Sequence, residues 1–262
     1  MKILVTGKNG YIARSFAEFN KHNKYNKYGK YMDCTLISLR GDAWQDISFA
    51  GYDAVLHTAG IVHKRETRSN QYDYYIINRD LTEAVAKKAK ADGVRQFVFL
   101  SSISVYGKNS GIITTVTPTA PKTHYGRSKL AAESLLLPLA DDVFKVAILR
   151  PPMVYGPGSP GNYSRLCRLV QITPVFPDYP NARSIVEIEN LCAFINDIIE
   201  NNRSGLFFPK DPAPVSTTEM AAAIAADIGK NLRTTRTFNG LISLLMPLKV
   251  MSKLFGSLTI ED

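Results

Sequence analysis

The sequence predicts a doubly wound α/β protein built on a parallel sheet, and three observations carry that expectation. An apolar run of strand length, Lys2-Ile3-Leu4-Val5-Thr6, passes at once into the turn Gly7-Lys8-Asn9-Gly10 and then into a helix-like segment through about residue 20. Strand-like and helix-like segments alternate through the first half of the chain, the pattern that buries a parallel sheet between helices. After Pro151 the texture changes: Pro and Gly crowd residues 151–161, 174–180 and 209–214, which reads as shorter elements forming a smaller C-terminal lobe. The expected division is a sheet domain over residues 1–155 and a lobe over 156–262.

Each element has its own warrant. In the first turn, Gly7 permits a tight reversal and Gly10 lets backbone approach a phosphate. The turn runs on through Tyr11 and Ile12 to Ala13, which is small enough for close helix packing, so it reads as a pyrophosphate cradle leading into a helix. Residues 20–31, where Lys, Asn and Tyr alternate, read as a solvated loop. Thr35-Leu36-Ile37-Ser38-Leu39-Arg40 reads as the second strand. An acid at its end would hold a ribose diol, whereas an Arg would accept a 2′-phosphate; Ser38 and Arg40 stand there, with Asp42 close by, so NADP(H) is favoured over NAD(H).

Asp53-Ala54-Val55-Leu56-His57 reads as a third strand running into Thr58-Ala59-Gly60, small residues that let backbone lie along a nucleotide. Residues 72–92 read as a helix, and Gln96-Phe97-Val98-Phe99-Leu100 as a strand ending in Ser101-Ser102. A hydroxyl at the carboxyl end of a parallel strand lies in the ligand crevice of an open α/β sheet, which makes Ser102 a candidate to hydrogen-bond a substrate oxygen. Residues 125–137 read as a helix and 144–149 as a strand. Within that helix Tyr125 and Lys129 are four apart and project from one face. A phenol is a poor acid–base catalyst at its free pKa of about 10, and a neighbouring cation favours the phenolate; Lys129 is expected to supply that cation.

Taken together, Thr6-Gly7-x-x-Gly10-x-x-Ala13, His57-Thr58-Ala59-Gly60, Ser101-Ser102-x-x-Val105-Tyr106-Gly107, Tyr125-x-x-x-Lys129 and Leu149-Arg150-Pro151-Pro152-Met153-Val154-Tyr155-Gly156-Pro157 resemble an extended short-chain dehydrogenase/reductase of the nucleotide-sugar epimerase/dehydratase family. The resemblance covers residues 1 to about 190. It implies a Rossmann-type domain holding NAD(H) or NADP(H), with Ser102, Tyr125 and Lys129 as the catalytic trio. For the cofactor it implies contacts from Gly7, Asn9, Gly10, Tyr11, Ile12, Arg40, Asp46, Ile47, His57, Thr58, Ala59, Gly60, Asn78 and Pro152 besides Tyr125 and Lys129. For the substrate it implies Ser102, Ser104, Tyr125, Asn162 and Arg183 in a substrate-binding lobe, with a helix-cap role for Asn162 as the alternative. It also implies a homodimer.

The family's 4,6-dehydratases place an Asp-Glu pair directly after the catalytic hydroxyl, and this chain has Ile103-Ser104 there, which disfavours dehydration. Two reactions at sugar C4 remain. In a 4-ketoreductase Tyr125 protonates the oxygen; in a 4-epimerase it first removes the 4-hydroxyl proton and later returns it. The stretch from Leu149 to Gly158, with Gly256-Ser257-Leu258, is most similar to reductases of 4-keto-6-deoxy-N-acetylhexosamines that serve surface polysaccharide synthesis, so the reductase is preferred. A dinucleotide-binding regulator without turnover is the reading from another class. The chain departs from the family at Val186, where an aromatic is usual, and stops some tens of residues before typical members, so a second phosphate-binding Arg is expected to be missing.

Composition sets limits. The chain has 262 residues, 45% of them apolar and 21% charged, as in ordinary soluble domains. Its formal charge of +9 is dispersed, which argues against a nucleic-acid recognition helix and suits a phosphate-bearing cofactor and substrate. Residue 1 leads straight into the first strand, so no signal peptide is expected, and no apolar run reaches the roughly 18 residues of a spanning helix. Cys34, Cys167 and Cys192 lack metal spacing and read as packed thiols in a reducing cytoplasm. Residues 241–255 are strongly apolar and read as two short helices broken at Pro247 that pack onto the lobe. The alternative is a helix resting in a membrane interface, where a sugar would be presented on a lipid-diphosphate carrier.

Overall fold

Six parallel strands form the central sheet. In a computed structural model that describes residues 1–22, 31–62 and 64–261, their spatial order is Gly205–Phe207, Lys145–Leu149, Gln96–Leu100, Ala54–His57, Lys2–Thr6, Asp33–Ile37. The four inner strands are buried nearly throughout, so they read as largely apolar runs rather than alternating ones, whereas the edge strands Asp33–Ile37 and Gly205–Phe207 are more exposed. On one face Leu4, Val55, Phe97, Phe99, Val146 and Ile148 pack with Val85, Ala86 and Ala89 of helix Leu81–Ala91 and with Ala132 and Leu136 of helix His124–Leu136. Helices Tyr11–His22 and Ile188–Glu200 are joined by a buried Asn20–Asn196 pair, hydrogen-bonded in both directions at 3.2 and 2.8 Å. This is the Rossmann-type α/β fold.

The chain runs outward from Lys2–Thr6 to Asp33–Ile37 and then crosses back to Ala54–His57 on the other side. That reversal puts the topological switch point between Lys2–Thr6 and Ala54–His57. Open α/β sheets bind ligands beyond the strand C-termini at such a point. The turns starting at Gly7 and Thr58 both sit there, since Thr6 and His57 are register partners.

Two compact units are present. The first comprises residues 1–107, 119–152 and 188–209; the second comprises 108–118, 153–187 and 210–262. The sequence placed one boundary at residue 155, whereas residues 188–209 return to the sheet unit. Their helix Ile188–Glu200 buries Leu191, Cys192, Ile195, Ile198 and Ile199, and Gly205–Phe207 adds the sixth strand beside Lys145–Leu149. The second unit has parallel strand pairs Met153–Tyr155 with Ile185–Glu187, Val175–Pro177 with Arg233–Thr235, and Gly111–Ile113 with Leu258–Ile260. Its core gathers Leu166, Val170, Phe176, Ile185, Met220, Ile224, Ile242 and Phe255. A capping box starts helix Thr217–Asp227: the Ser216 hydroxyl accepts from Glu219 N at 3.0 Å, and Ser216 N donates to the Glu219 carboxylate at 2.6 Å.

Elements read from the sequence land within a few residues of those observed. The second strand ends at Ile37 rather than Arg40, leaving Ser38 and Arg40 in the loop past it. The solvated loop read at residues 20–31 lies mostly outside the described residues. Residues 241–255 fold as helices Asn239–Leu245 and Lys249–Phe255 on either side of Pro247. Among the described residues no helix is long and apolar enough to cross a membrane, no cluster of His, Cys, Asp and Glu is arranged to hold a metal, and the three cysteines are free thiols.

Candidate active site

The first turn is built for close backbone approach. Gly7 has φ +84°, in the left-handed region, and a side chain there would meet Ala59 N at 3.0 Å, so only glycine lets the two switch-point turns touch. Gly7 N and Lys8 N both donate to Ile37 O at 3.1 and 3.0 Å, and Thr58 Oγ1 donates to Thr6 O at 2.7 Å. Helix Tyr11–His22 has no acidic residue in its first turn, so nothing there opposes an anion at its N-terminus. A Cβ on Gly60 would come within 2.8 Å of Asn78 Oδ1 and 3.5 Å of Lys129 Nζ. These close approaches bring the Gly7 turn against the 58–60 turn, and Gly60 against Asn78 and Lys129, at the switch point.

Asn78 fixes the second of these approaches. It lies in a π-helical turn, Ile76–Asp80, inserted in the long helix over residues 71–91, and such insertions re-aim side chains at functional sites. Its amide grips the 58–61 turn: Oδ1 accepts from Ile61 N at 2.7 Å, while Nδ2 donates to Ile61 O at 3.0 Å and to Ser128 Oγ at 3.1 Å.

Ser102, Tyr125 and Lys129 come together beyond the C-terminus of strand Gln96–Leu100. Thr123 caps helix His124–Leu136, its hydroxyl accepting from Gly126 N at 3.0 Å, and the Glu66 carboxylate accepts from Tyr125 N at 2.9 Å. The helix can approach the 102–106 turn because residue 126 is glycine; a Cβ there would lie 2.6 Å from Ser104 O. Ser102 ends the strand in extended backbone, accepts from Ser104 N at 3.1 Å, donates to Ser104 Oγ at 3.1 Å, and is hydrogen-bonded to the Tyr125 hydroxyl. Lys129 Nζ donates to Leu100 O at 2.8 Å and lies 4.6 Å from the centre of the Phe99 ring.

The electrostatics depart from the sequence expectation. Burial pushes the Tyr125 phenol up to about 12, with the Ser102 hydrogen bond opposing, so the protein by itself holds a protonated phenol. Lys129 does not bring it toward neutrality, because burial pulls Lys129 down to about 7, with Glu133 opposing that pull, and its ammonium is turned to the Leu100 carbonyl. A lysine held at about 7 binds fewer protons near pH 8 than the same lysine in the unfolded chain. Its contribution to stability is therefore lost as pH falls through about 7 and recovers as pH rises toward 10.5. Lys129→Met should remove that dependence: the wild-type melting temperature should gain on the variant's between pH 6.5 and 8.5 by differential scanning fluorimetry, and parallel curves would contradict it.

Other residues read from the sequence fall as follows. The His57 imidazole is sealed in the sheet unit, 3.0 Å from both Thr6 Oγ1 and Thr82 Oγ1, and burial followed by the Lys129 charge lowers it to about 3, so it is a neutral structural group and only its backbone borders the turn. Arg40 is exposed, its amide bonded to Ser38 Oγ at 3.2 Å; Asp46 and Ile47 close a short 3₁₀ turn just beyond. Asn162 and Arg183 belong to the second unit. Asn162 is the first residue of helix Asn162–Ile172 rather than its cap, a position Gly161 takes with φ +84°. The Arg183 guanidinium donates to Gly256 O at 2.5 Å.

Glu133 was not singled out from the sequence. One turn past Lys129, its carboxylate accepts from Ser101 Oγ, from Arg150 Nε at 3.0 Å and from Arg150 Nη2 at 2.5 Å, and Arg150 Nη1 donates to Tyr106 OH at 2.6 Å. This buried network ties helix His124–Leu136 to the ends of two strands. Its signal was present as a third polar residue at the four-residue spacing, Tyr125, Lys129, Glu133, on a helix that turns that face inward.

A switch-point crevice in a parallel sheet, with Ser, Tyr and Lys gathered beside a glycine turn, defines an extended short-chain dehydrogenase/reductase. The chain belongs to the NAD dependent epimerase/dehydratase family, whose model matches residues 3–172. It is 33% identical over 222 residues to UDP-glucose 4-epimerase of Vibrio cholerae, covering 79% of this chain and 65% of that relative. It is 25% identical over 244 residues to N-acetyl-alpha-D-glucosaminyl-diphospho-ditrans,octacis-undecaprenol 4-epimerase of Escherichia coli O157:H7, covering 88% of this chain and 73% of that one. The chain thus spans about two thirds to three quarters of these relatives' length. Among solved structures it is similar to UDP-glucuronic acid 4-epimerase from Bacillus cereus in complex with NAD, with TM-score 0.72, 20% identity, and coverage of 100% of this chain and 88% of that one. It is also similar to dTDP-4-dehydrorhamnose reductase from Bacillus anthracis in complex with NADP, with TM-score 0.69, 20% identity, and coverage of 90% and 84%. These two likenesses establish the fold.

Proposed function

We propose that the chain carries out hydride and proton transfer at C4 of a sugar linked to a diphosphate, on a nucleotide or on a lipid. The observation that carries this reading is the Ser102–Tyr125–Lys129 constellation at the strand C-termini, beside the glycine turn at the switch point. The glycine turn at residues 7–10, Thr58-Ala59-Gly60, Asn78 and Lys129 would hold the dinucleotide, and Pro152 is proposed to close the nicotinamide end. When bound, the dinucleotide supplies the hydride acceptor or donor and, oxidised, a positive charge. Ser102 orients the sugar oxygen and Tyr125 exchanges its proton with that oxygen. Lys129, held against the Leu100 carbonyl, is placed to orient the nicotinamide ribose. Asn162 and Arg183 of the second unit are proposed for the diphosphate, Arg183 through its fork of donors.

The reductase is the first reading. Burial keeps the Tyr125 phenol protonated, the form that a group protonating an oxygen that receives hydride must start from. Arg40, in the loop just past the second strand, supports NADPH, the form a reductase consumes. NADPH should bind more tightly than NADH by isothermal titration, and Arg40→Ala should erase most of the difference, since a charged hydrogen bond contributes roughly 1.5–3 kcal/mol. Equal wild-type affinities would overturn the preference. The second reading, a 4-epimerase, is favoured by what the two curated relatives are named for. Incubation with a 4-keto nucleotide sugar and NADPH separates the two: stoichiometric NADPH oxidation supports the reductase, whereas C4 inversion of a UDP-hexose without net cofactor change supports the epimerase. Dinucleotide binding with neither would indicate a regulator.

A further inference from the structure

The stretch over residues 238–250 has the densest apolar exposure in the chain. Seventeen large apolar side chains are exposed among the described residues, and five of them, Phe238, Leu241, Leu244, Leu248 and Val250, fall within these thirteen positions. Their exposures run from 46 to 75%, far more surface than a side chain at the margin of a core leaves open. Helical spacing divides the segment into two sides. Ile242 and Phe255 turn into the second unit's core, with Met246, Met251 and Leu254 packed against it. Leu241 and Leu244, three apart in helix Asn239–Leu245, share a solvent-facing edge. Scattered exposed leucines need no explanation, but a run of this density does.

Charge identifies what covers it. From residue 228 to residue 260 there is no Asp or Glu, while Lys230, Arg233, Arg236, Lys249 and Lys253 give five positive charges and none negative, a formal +5. Lys230 is engaged with the Val170 and Gln171 carbonyls at 2.6 and 2.7 Å, and Arg236 pairs with Asp178 at 2.7 Å; Arg233 and Lys253 are exposed. Protein-binding patches concentrate their energy in Trp, Tyr and Arg anchors that fill pockets. Here the apolar members are four aliphatic side chains and one Phe, flanked by cations, which matches a surface that meets phosphates at one level and acyl chains just below it.

We infer that the Phe238–Val250 face of the second unit docks on an anionic lipid surface, with Leu241, Leu244, Leu248 and Val250 at the acyl boundary and the flanking cations against lipid phosphates. The attachment is peripheral. Each helix has seven residues, so the apolar area is small and binding depends on the anionic charge. The inference stands apart from the catalytic reading, because docking needs no turnover.

Sedimentation with vesicles tests it. The protein should pellet with vesicles of mixed phosphatidylglycerol and phosphatidylcholine at low salt, leave them at high salt, and stay in the supernatant with phosphatidylcholine alone. Changing Leu244, Leu248 and Val250 together to Ser should lower the bound partition by about tenfold or more at an unchanged melting temperature, because these side chains contribute little to the core. Lys253→Glu should lower it by about fivefold or more. Wild-type protein that remains in the supernatant with anionic vesicles, or a triple variant that still pellets, would overturn the inference. So would a wild-type dimer by light scattering that the triple variant dissociates, since a second copy would then own the face. Turnover of a soluble nucleotide sugar should be equal in wild type and variant; its absence in both would count against the catalytic reading and leave the lipid result standing.

Discussion

Tyr125→Phe should lower kcat by about 100-fold or more while leaving dinucleotide affinity nearly unchanged. The substitution removes one oxygen and little volume, so packing around the ring is kept. What is lost is the phenol hydroxyl that is hydrogen-bonded to Ser102 where the substrate oxygen is proposed to lie. Because the phenol is desolvated, water is poorly placed to replace it. Lys129→Met should impair both kcat and dinucleotide affinity, since Lys129 Nζ lies beside Gly60 in the turn proposed to hold the dinucleotide. Single-turnover kinetics with a deuterated hydride donor would locate the loss in the chemical step. A Tyr125→Phe protein that retains more than a few per cent of wild-type kcat would show that another group carries the proton.

Arg150→Met should destabilise the sheet unit by about 3–5 kcal/mol, because it leaves the Glu133 carboxylate buried without its cation. The pair lies in the interior, with side-chain exposures of 10% and 4%, so solvent cannot take over the lost contact. Replacing both, Arg150→Met with Glu133→Leu, should recover most of the loss, since apolar groups of similar volume need no partner. Urea unfolding followed by the fluorescence of Trp44, the single tryptophan and a member of the sheet unit's core, provides the measurement. A single-variant loss below about 1 kcal/mol would mean that water or Tyr106 compensates Glu133. A double variant that is stable yet slow would separate the network's part in holding helix His124–Leu136 from its part in stability.

Much of the sheet unit was legible because its signals are local. A buried parallel strand reads as a continuous apolar run, as Phe97-Val98-Phe99-Leu100 does, and a turn that lets backbone approach backbone must contain glycine, as at Gly7. Residues 188–209 were assigned to the wrong side of the chain because helix Ile188–Glu200 and strand Gly205–Phe207 look like any short amphipathic pair. Which sheet they join is a pairing between Gly205–Phe207 and Lys145–Leu149, whose register partners, such as Gly205 and Ala147, are far apart in sequence. His57 carries the same lesson: its place in a motif suggested a ligand contact, and only packing shows the imidazole held between two threonine hydroxyls.

The sequence by itself determined the order of strands and helices, the glycine turn, and the four-residue spacing that sets Tyr125 and Lys129 on one helical face, because each follows from the geometry of a single element. Tertiary structure alone decided the rest. It raised the Tyr125 phenol and lowered Lys129, since desolvation exists only once a neighbouring strand and ring surround them. It joined Glu133 to Arg150 and Ser101 across three elements, and it turned half of an apolar terminal segment outward. Burial, pairing and exposure are properties of what lies opposite a residue in space, and a linear pattern specifies only what lies beside it.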